Sequence, residues 1–307
     1  VLFTDPRYGL QASEQTACQV RVARGPLVAA AARWLRGKGV RRFGFEKAHL
    51  SYESFLSLDG RIPLGVRMIP TAGLVEDLRM VKSPQEIDLI RRSVLLNSEA
   101  FERAIRRVRP GMSEMDLASE LEYQMRRLGA EKPAFETIVA SGARSAMPHA
   151  GPTSKLLARN ELLLVDMGAV RDGYSSDMTR MAFLGRPGPK IRQLYRAVLE
   201  AQEAARAAVR EGVTAEQVDR AARSVLKAHG LDRAFLHSCG HGLGLEVHES
   251  PRLGRGDRTR LKAGMAVTLE PGVYLQEFGG IRIEDTVVVA RSGCEVLTPT
   301  PRKLLAL

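Results

Sequence analysis

Apolar residues at Ile87, Ile90, Val94 and Phe101 keep to one face of a helix. Ser83-Pro84-Gln85-Glu86, just before them, has the form of a capping box with proline at the first helical position, and Arg109-Pro-Gly is expected to stop the helix. Upstream, Arg42-Phe-Gly-Phe-Glu46 alternates as a half-buried strand does. Val1-Leu-Phe-Thr reads as another strand, and Pro26 to Lys38 as a helix with proline in its first turn. The pattern therefore predicts an α/β domain over residues 1–79 and a second domain over 80–307, with the hinge near Met80-Val-Lys-Ser-Pro. Opening directly on a strand suggests an N-terminal domain that lacks its first strands.

The larger domain echoes itself. Arg109-Pro-Gly-Met-Ser-Glu-Met-Asp-Leu is answered 101 positions later by Arg210-Glu-Gly-Val-Thr-Ala-Glu-Gln-Val. Each places a helix-ending glycine (Gly111, Gly212) two residues before a capping hydroxyl (Ser113, Thr214), with Asp or Gln three residues further on. Each is followed by a helix, then a strand, a turn and a strand: Glu161 to Asp166 and Ser176 to Met181 in the first half, Met265 to Glu270 and Ile281 to Val289 in the second. All four predicted strands carry an acid, so two facing halves would bring four carboxylates to one seam. The expected class is α+β with pseudo-twofold halves.

Composition narrows the function. Hydrophobic residues make up 44% of the 307 and charged residues 26%, as in ordinary globular proteins, and no apolar run approaches the ~20 residues of a membrane-spanning helix. The net charge of +11 comes from arginines scattered along helices, and aromatics are only 5%, so a nucleic-acid partner is not expected. Three distant cysteines, Cys18, Cys239 and Cys294, form neither a disulfide framework nor a metal pair and suit a reducing cytoplasm.

The chemistry lies in the acids and histidines. Asp166 is the only charge in Leu162 to Met167, and Glu270 ends a similar run. Buried acids need a hydrogen bond, an ion pair or a metal. Four crowded carboxylates repel, and two divalent cations would cancel their charge. His237-Ser-Cys-Gly-His241-Gly-Leu-Gly-Leu-Glu-Val-His248 holds three of the six histidines, and its alternating glycines favour an extended, closely approached backbone over a helix.

Taken together, VDMGAVRDGYSSDMTR (165–180), MPHAGPT (147–153), HSCGHGLGLEVHE (237–249), TLEPGVY (268–274) and GIRIEDTVVV (280–289) resemble the M24 metallopeptidases of the pita-bread fold, in the aminopeptidase P and prolidase branch. The resemblance covers residues 80–305, and residues 1–79 look like the later part of the family's N-terminal domain. It implies a metal site of Asp166, Asp177, His241, Glu270 and Glu284, with Asp177 and Glu284 bridging two divalent ions (Mn²⁺ first, then Co²⁺, Zn²⁺ or Fe²⁺) and Glu270 also assisting proton transfer. It implies Xaa-Pro hydrolysis in short peptides by a metal-activated hydroxide. His248 would stabilise the oxyanion, His149 and His237 would line the substrate pocket, His149 also counting among the catalytic groups, and Arg282 would orient the ligands from behind. A homodimer is also implied. Met178 and Met181 depart from the family's usual β-branched strand and are expected to affect packing only. Cys239, two residues from His241, is expected to be a small filler facing away from the metals.

The competing readings are a metal-free enzyme of the same fold such as creatinase, a pita-bread binding module without activity, and an M24 aminopeptidase without proline specificity. Intact ligand positions oppose the first two. The separate N-terminal domain and the GLEVHE segment oppose methionine aminopeptidase as a model.

Overall fold

Capping chemistry sets the main helices. In the computed structural model, which describes residues 1–36 and 38–307, Ser83, Ser113 and Thr214 each accept from the backbone N–H three residues on, and Glu86, Asp116 and Gln217 reach back to the capping N–H. These three capping boxes open helices Pro84–Ile105, Glu114–Arg127 and Ala215–Ala228; a fourth long helix, Pro189–Ala208, starts on proline. The first helix ends at Ile105, short of the Arg109-Pro-Gly stop expected from sequence, because Arg107 and Val108 turn back to the carbonyls of Ala104 and Ile105.

The chain forms two compact units, Val1–Val75 and Glu76–Leu307. In the smaller, Leu2–Thr4 pairs in parallel with Val20–Val22, and Arg42–Glu46 with Arg67–Thr71. Its helix Leu27–Leu35 is shorter than the expected Pro26 to Lys38, with Pro26 as the cap.

The larger unit is built twice. In its first half the strand order is Leu305–Ala306, Met178–Phe183, Leu162–Met167, Ile138–Ser141. In its second half the order is Glu249–Leu253, Gly240–Gly242, Ala266–Leu269, Asp285–Ala290, Gly293–Val296. The sequence pattern missed Ile138–Ser141, too short for periodicity to register, while the extended backbone expected at the alternating glycines forms the strand Gly240–Gly242. The backbone repeats as well: Gly111 and Gly212 donate to Leu157 and Leu261, and Ser113 and Thr214 bridge to Leu156 and Arg260.

Strand alternation then sorts the side chains. Leu163, Val165 and Met167 pack under the first helix pair with Phe101, Leu121 and Met125, while Val267, Leu269, Val287 and Val289 pack under the second with Val198 and Val218. Asp166 takes the opposite parity to Val165 and Met167, so it lies on the other face of its strand from the side chains packed under the first helix pair. Only Asp166 is inside a strand: Asp177 immediately precedes Met178–Phe183, Glu270 follows Ala266–Leu269, and Glu284 falls between Gly279–Arg282 and Asp285–Ala290. The expectation that each acid sits within a strand is corrected accordingly. At strand ends the ladder no longer claims the backbone, and the Glu284 N–H crosses to the Thr179 carbonyl of the other half.

Met178 and Met181 are both core residues, and Cys239 is fully buried in the core of the second half.

Candidate metal centre

Glycines bring the histidine strand into place. A Cβ on Gly240 would lie 2.0 Å from the Thr268 carbonyl oxygen, and one on Gly242 2.3 Å from that of Ser250. Only glycine permits this approach, which seats His241 between Ala266–Leu269 and Glu249–Leu253.

Asp177, His241 and Glu284 each offer a ligand atom, all within 4.8 Å of one another. Nδ1 of His241 is 3.0 Å from the Gly242 carbonyl and so carries the proton. That leaves Nε2 as a lone pair, facing Oδ2 of Asp177 at 3.5 Å and Oε1 of Glu270 at 3.4 Å. Acceptors face acceptors here, an arrangement suited to a cation. Two buried oxygens point the same way: Oδ1 of Asp166 and Oε1 of Glu284 have no hydrogen-bond partner. The residues present therefore fit a divalent metal site.

Charge crowding shows in the proton affinities. Burial, then the charges of Glu284, Asp166 and Glu270, pushes Asp177 well above the usual carboxylate range. Burial followed by Glu270 and Asp166 does the same to Glu284. Glu270 is pushed up to about 7, burial outweighing the opposing charge of Arg282. His241 is shifted the other way, burial holding it below the ordinary histidine value.

Behind the acids, Arg282 donates to Oδ2 of Asp166 at 2.6 Å, to the Tyr274 hydroxyl at 2.6 Å and to the Thr179 hydroxyl at 3.0 Å. Thr179 in turn donates to Glu284 at 2.7 Å. Because the Tyr274 oxygen accepts from Arg282, its proton goes to Nε2 of His237 at 2.8 Å, while Nδ1–H of His237 donates to the Ser238 carbonyl. One arginine thus sets a metal-facing acid and the tautomer of a pocket histidine together. Burial and the Arg282 charge keep His237 neutral, lowered to about 4.

His248 packs edge-on against His241 with ring centroids 4.4 Å apart, and its side chain is exposed, as is that of His149. His149 lies near enough to both His237 and His248 for its charge to disfavour theirs. All the residues singled out in the sequence therefore converge on one site.

Sequence reasoning missed Arg180, which is fully buried and paired with Asp285 at 2.7 Å, and which also donates to the carbonyls of Glu284 and Thr300. A charge amid the apolar strand Met178–Phe183 was the available signal.

Residues 88–291 match the model of metallopeptidase family M24. The chain belongs to this family. Residues 1–81 match the creatinase/prolidase N-terminal domain. An Xaa-Pro dipeptidase of Pyrococcus furiosus is 44% identical over 76% of this chain and 67% of its own. Among solved structures, an Xaa-Pro dipeptidase from Bacillus anthracis superposes with a TM-score of 0.96 at 38% identity, over 99% of this chain and 86% of that one. An X-Pro aminopeptidase from Thermotoga maritima gives 0.92 at 36% identity, over 99% and 87%. The two-half architecture of the larger unit is the pita-bread fold of these M24 enzymes, and the acid cluster is a candidate divalent-metal site within it.

Proposed function

We propose that this M24 chain is an exopeptidase that hydrolyses Xaa-Pro bonds in short peptides, with Asp166, Asp177, His241, Glu270 and Glu284 holding two divalent cations. The observation that carries the reading is the lone pair of His241 Nε2 facing two carboxylate oxygens, beside two further buried oxygens without partners. Relatives named for Xaa-Pro cleavage support the substrate class. The functional boundary is read at residues 79 and 80, just before the capping box that opens the first long helix of the larger unit.

Bound divalent cations would polarise the scissile carbonyl and make water nucleophilic near neutral pH. The chain's own groups supply the rest. Glu270, whose Oε1 lies 3.4 Å from Nε2 of His241 at the seam, takes a proton from water and returns one to the departing proline nitrogen. His248, exposed beside His241, donates to the oxygen that develops charge. An Xaa-Pro bond is a tertiary amide without an N–H, so its pocket needs flat walls and no acceptor awaiting that proton. The rings of His237 and Tyr274, with centroids 5.4 Å apart and their polar atoms already bonded to each other, provide such walls, and His149 completes the pocket.

Oxygen-rich ligation with one imidazole places Mn²⁺ first, with Co²⁺, Zn²⁺ and Fe²⁺ as alternatives. A cytoplasmic homodimer, free of membrane and nucleic acid, is the accompanying assignment. The dimer rests on the family resemblance. Against a nucleic-acid partner, several surface arginines are already ion-paired, as in Arg91–Glu295, Arg92–Asp88 and Arg103–Glu99. No helix among the described residues is long and apolar enough to cross a membrane.

The test is kcat/KM for Ala-Pro, Ala-Pro-Ala and Ala-Ala-Ala with Mn²⁺ supplied. The reading expects both proline peptides to be cleaved well above Ala-Ala-Ala. Equal rates on the two tripeptides would reject proline selectivity, and cleavage of Ala-Pro alone would confine the enzyme to dipeptides.

A further inference from the structure

Besides Asp285, which pairs with Arg180, a buried carboxylate stands outside the metal cluster in each half. Glu114 begins the second helix of the first half and is fully buried. It accepts from the Ser141 N–H at 2.8 Å, from the Thr153 hydroxyl at 2.8 Å and from Nε of Arg144 at 3.0 Å. Arg144 then donates to the Gly151 carbonyl at 2.7 Å. The stretch between these ties, residues 141–153, carries His149.

The second half repeats the device with different residues. Asp219, buried on helix Ala215–Ala228, accepts from the Cys239 N–H at 3.0 Å and from Nε of Arg223 at 2.7 Å. Arg223 donates to the carbonyls of Phe235 and His237, and its guanidinium carbon sits 4.1 Å over the Phe235 ring. The stretch so held carries His237.

We propose that Glu114 and Asp219 are positioning residues, each working through a partner arginine to set the loop that delivers one pocket histidine, His149 or His237. A buried ion pair is weak as a stabilising device, because desolvation offsets much of its attraction. A planar guanidinium that is fixed on a carboxylate and then bonded to loop carbonyls is strong as a geometric one. Loops carrying functional residues need such anchoring to a rigid element. Glu114 also stays ionised: burial raises its proton affinity, but the bonds from Thr153 and Ser141 and the charge of Arg144 together bring it below the usual range.

The inference rests on the peptidase reading, and the experiment separates the two. With the full chain reconstituted with Mn²⁺, Glu114→Gln should keep the wild-type metal stoichiometry and lose on the order of 10²-fold in kcat on Ala-Pro-Ala, as remote misplacement of a reacting group does. In a His149→Ala background the same substitution should cost no more than about threefold, since coupled residues are not additive. The same factor in both backgrounds would overturn the proposal. Should Glu114→Gln fail to fold, Arg144→Gln, on a partly exposed side chain, removes the Gly151 tie and is compared in the same two backgrounds. If the wild-type protein cleaves no peptide, the functional reading fails by itself, and amide exchange decides the positioning claim. Residues 141–153 should then exchange faster in the variant while 162–167 are unchanged, and unchanged exchange over 141–153 would overturn it. Asp219→Asn with His237→Ala repeats the comparison in the second half.

Discussion

The two halves of the larger unit share a scaffold and differ in what they hang on it. Both open their second helix with a capping box, bridge the capping residue to a loop residue six positions before a central strand, and cover one sheet face with a helix pair. The difference lies at the strand beside each central strand. In the first half it is Ile138-Val-Ala-Ser141, wholly buried filler; in the second it is Gly240-His-Gly242, thinned so that an imidazole enters the seam. To the charge cluster the first half thus contributes only acids, Asp166 and Asp177, with His149 added from its 141–153 loop, and the second contributes His241 with Glu270 and Glu284 and, on the same segment, His237 and His248. A repeated backbone supplies symmetry for a charge cluster, and breaking that symmetry at one strand supplies the directional groups that a reaction needs.

The comparison can be broken most severely at the seam. Asp177→Asn, from the first half, and Glu284→Gln, from the second, should each lose nearly all turnover together with metal, measured by elemental analysis and peptide assay on the same sample. Equal loss from both sides is expected, and an active variant from either half would show that the cluster is not shared. A smaller effect is expected where only the second half's directional chemistry is touched. His248→Ala should retain its metals and lose on the order of 10²–10³ in kcat, the usual result of removing one oxyanion donor. Lost metal would make His248 a ligand. Arg282→Lys should come next, costing about 10–100-fold in metal affinity or activity, as outer partners of ligands do, because one ammonium cannot hold Asp166, Tyr274 and Thr179 at once. Unchanged metal affinity and rate would show that the fork is dispensable.

The smallest effect is on stability. The folded-state proton affinity of Glu270, about 7, exceeds its ordinary value of 4.5, and Asp177 and Glu284 are shifted the same way. Between those pH values the native, metal-free protein holds more protons than the unfolded chain, so its stability is greatest below about 4.5 for this group and falls as pH rises through 7. The loss should be on the order of a few kcal/mol. Added Mn²⁺ should reverse the slope. Chemical denaturation of the metal-depleted protein across this range checks the sign, and stability that rises steadily with pH would contradict it.

Much of this was legible in the sequence because it depended on local rules. The capping boxes at Ser83, Ser113 and Thr214 announce themselves in four residues, and the acids of the seam stand out against apolar neighbours. What stayed hidden depended on contacts distant in the chain. Glu114 and Asp219 look like ordinary acids near a helix start until the loops at 141–153 and 235–239 fold onto them. Arg180 reads as a surface charge until Asp285, 105 residues away, meets it in the interior. The end of the first helix at Ile105 was misplaced because two turn hydrogen bonds stopped it ahead of the proline signal.

The central claim is that both halves together hold two divalent cations in one cluster of four carboxylates and His241. Calorimetric titration of the metal-depleted protein with Mn²⁺ tests it most directly. The account predicts two equivalents bound per chain, accompanied by proton release from the crowded acids, and fewer than two for Asp177→Asn. Binding of at most one equivalent by the wild-type chain, or an unchanged stoichiometry in Asp177→Asn, would contradict it.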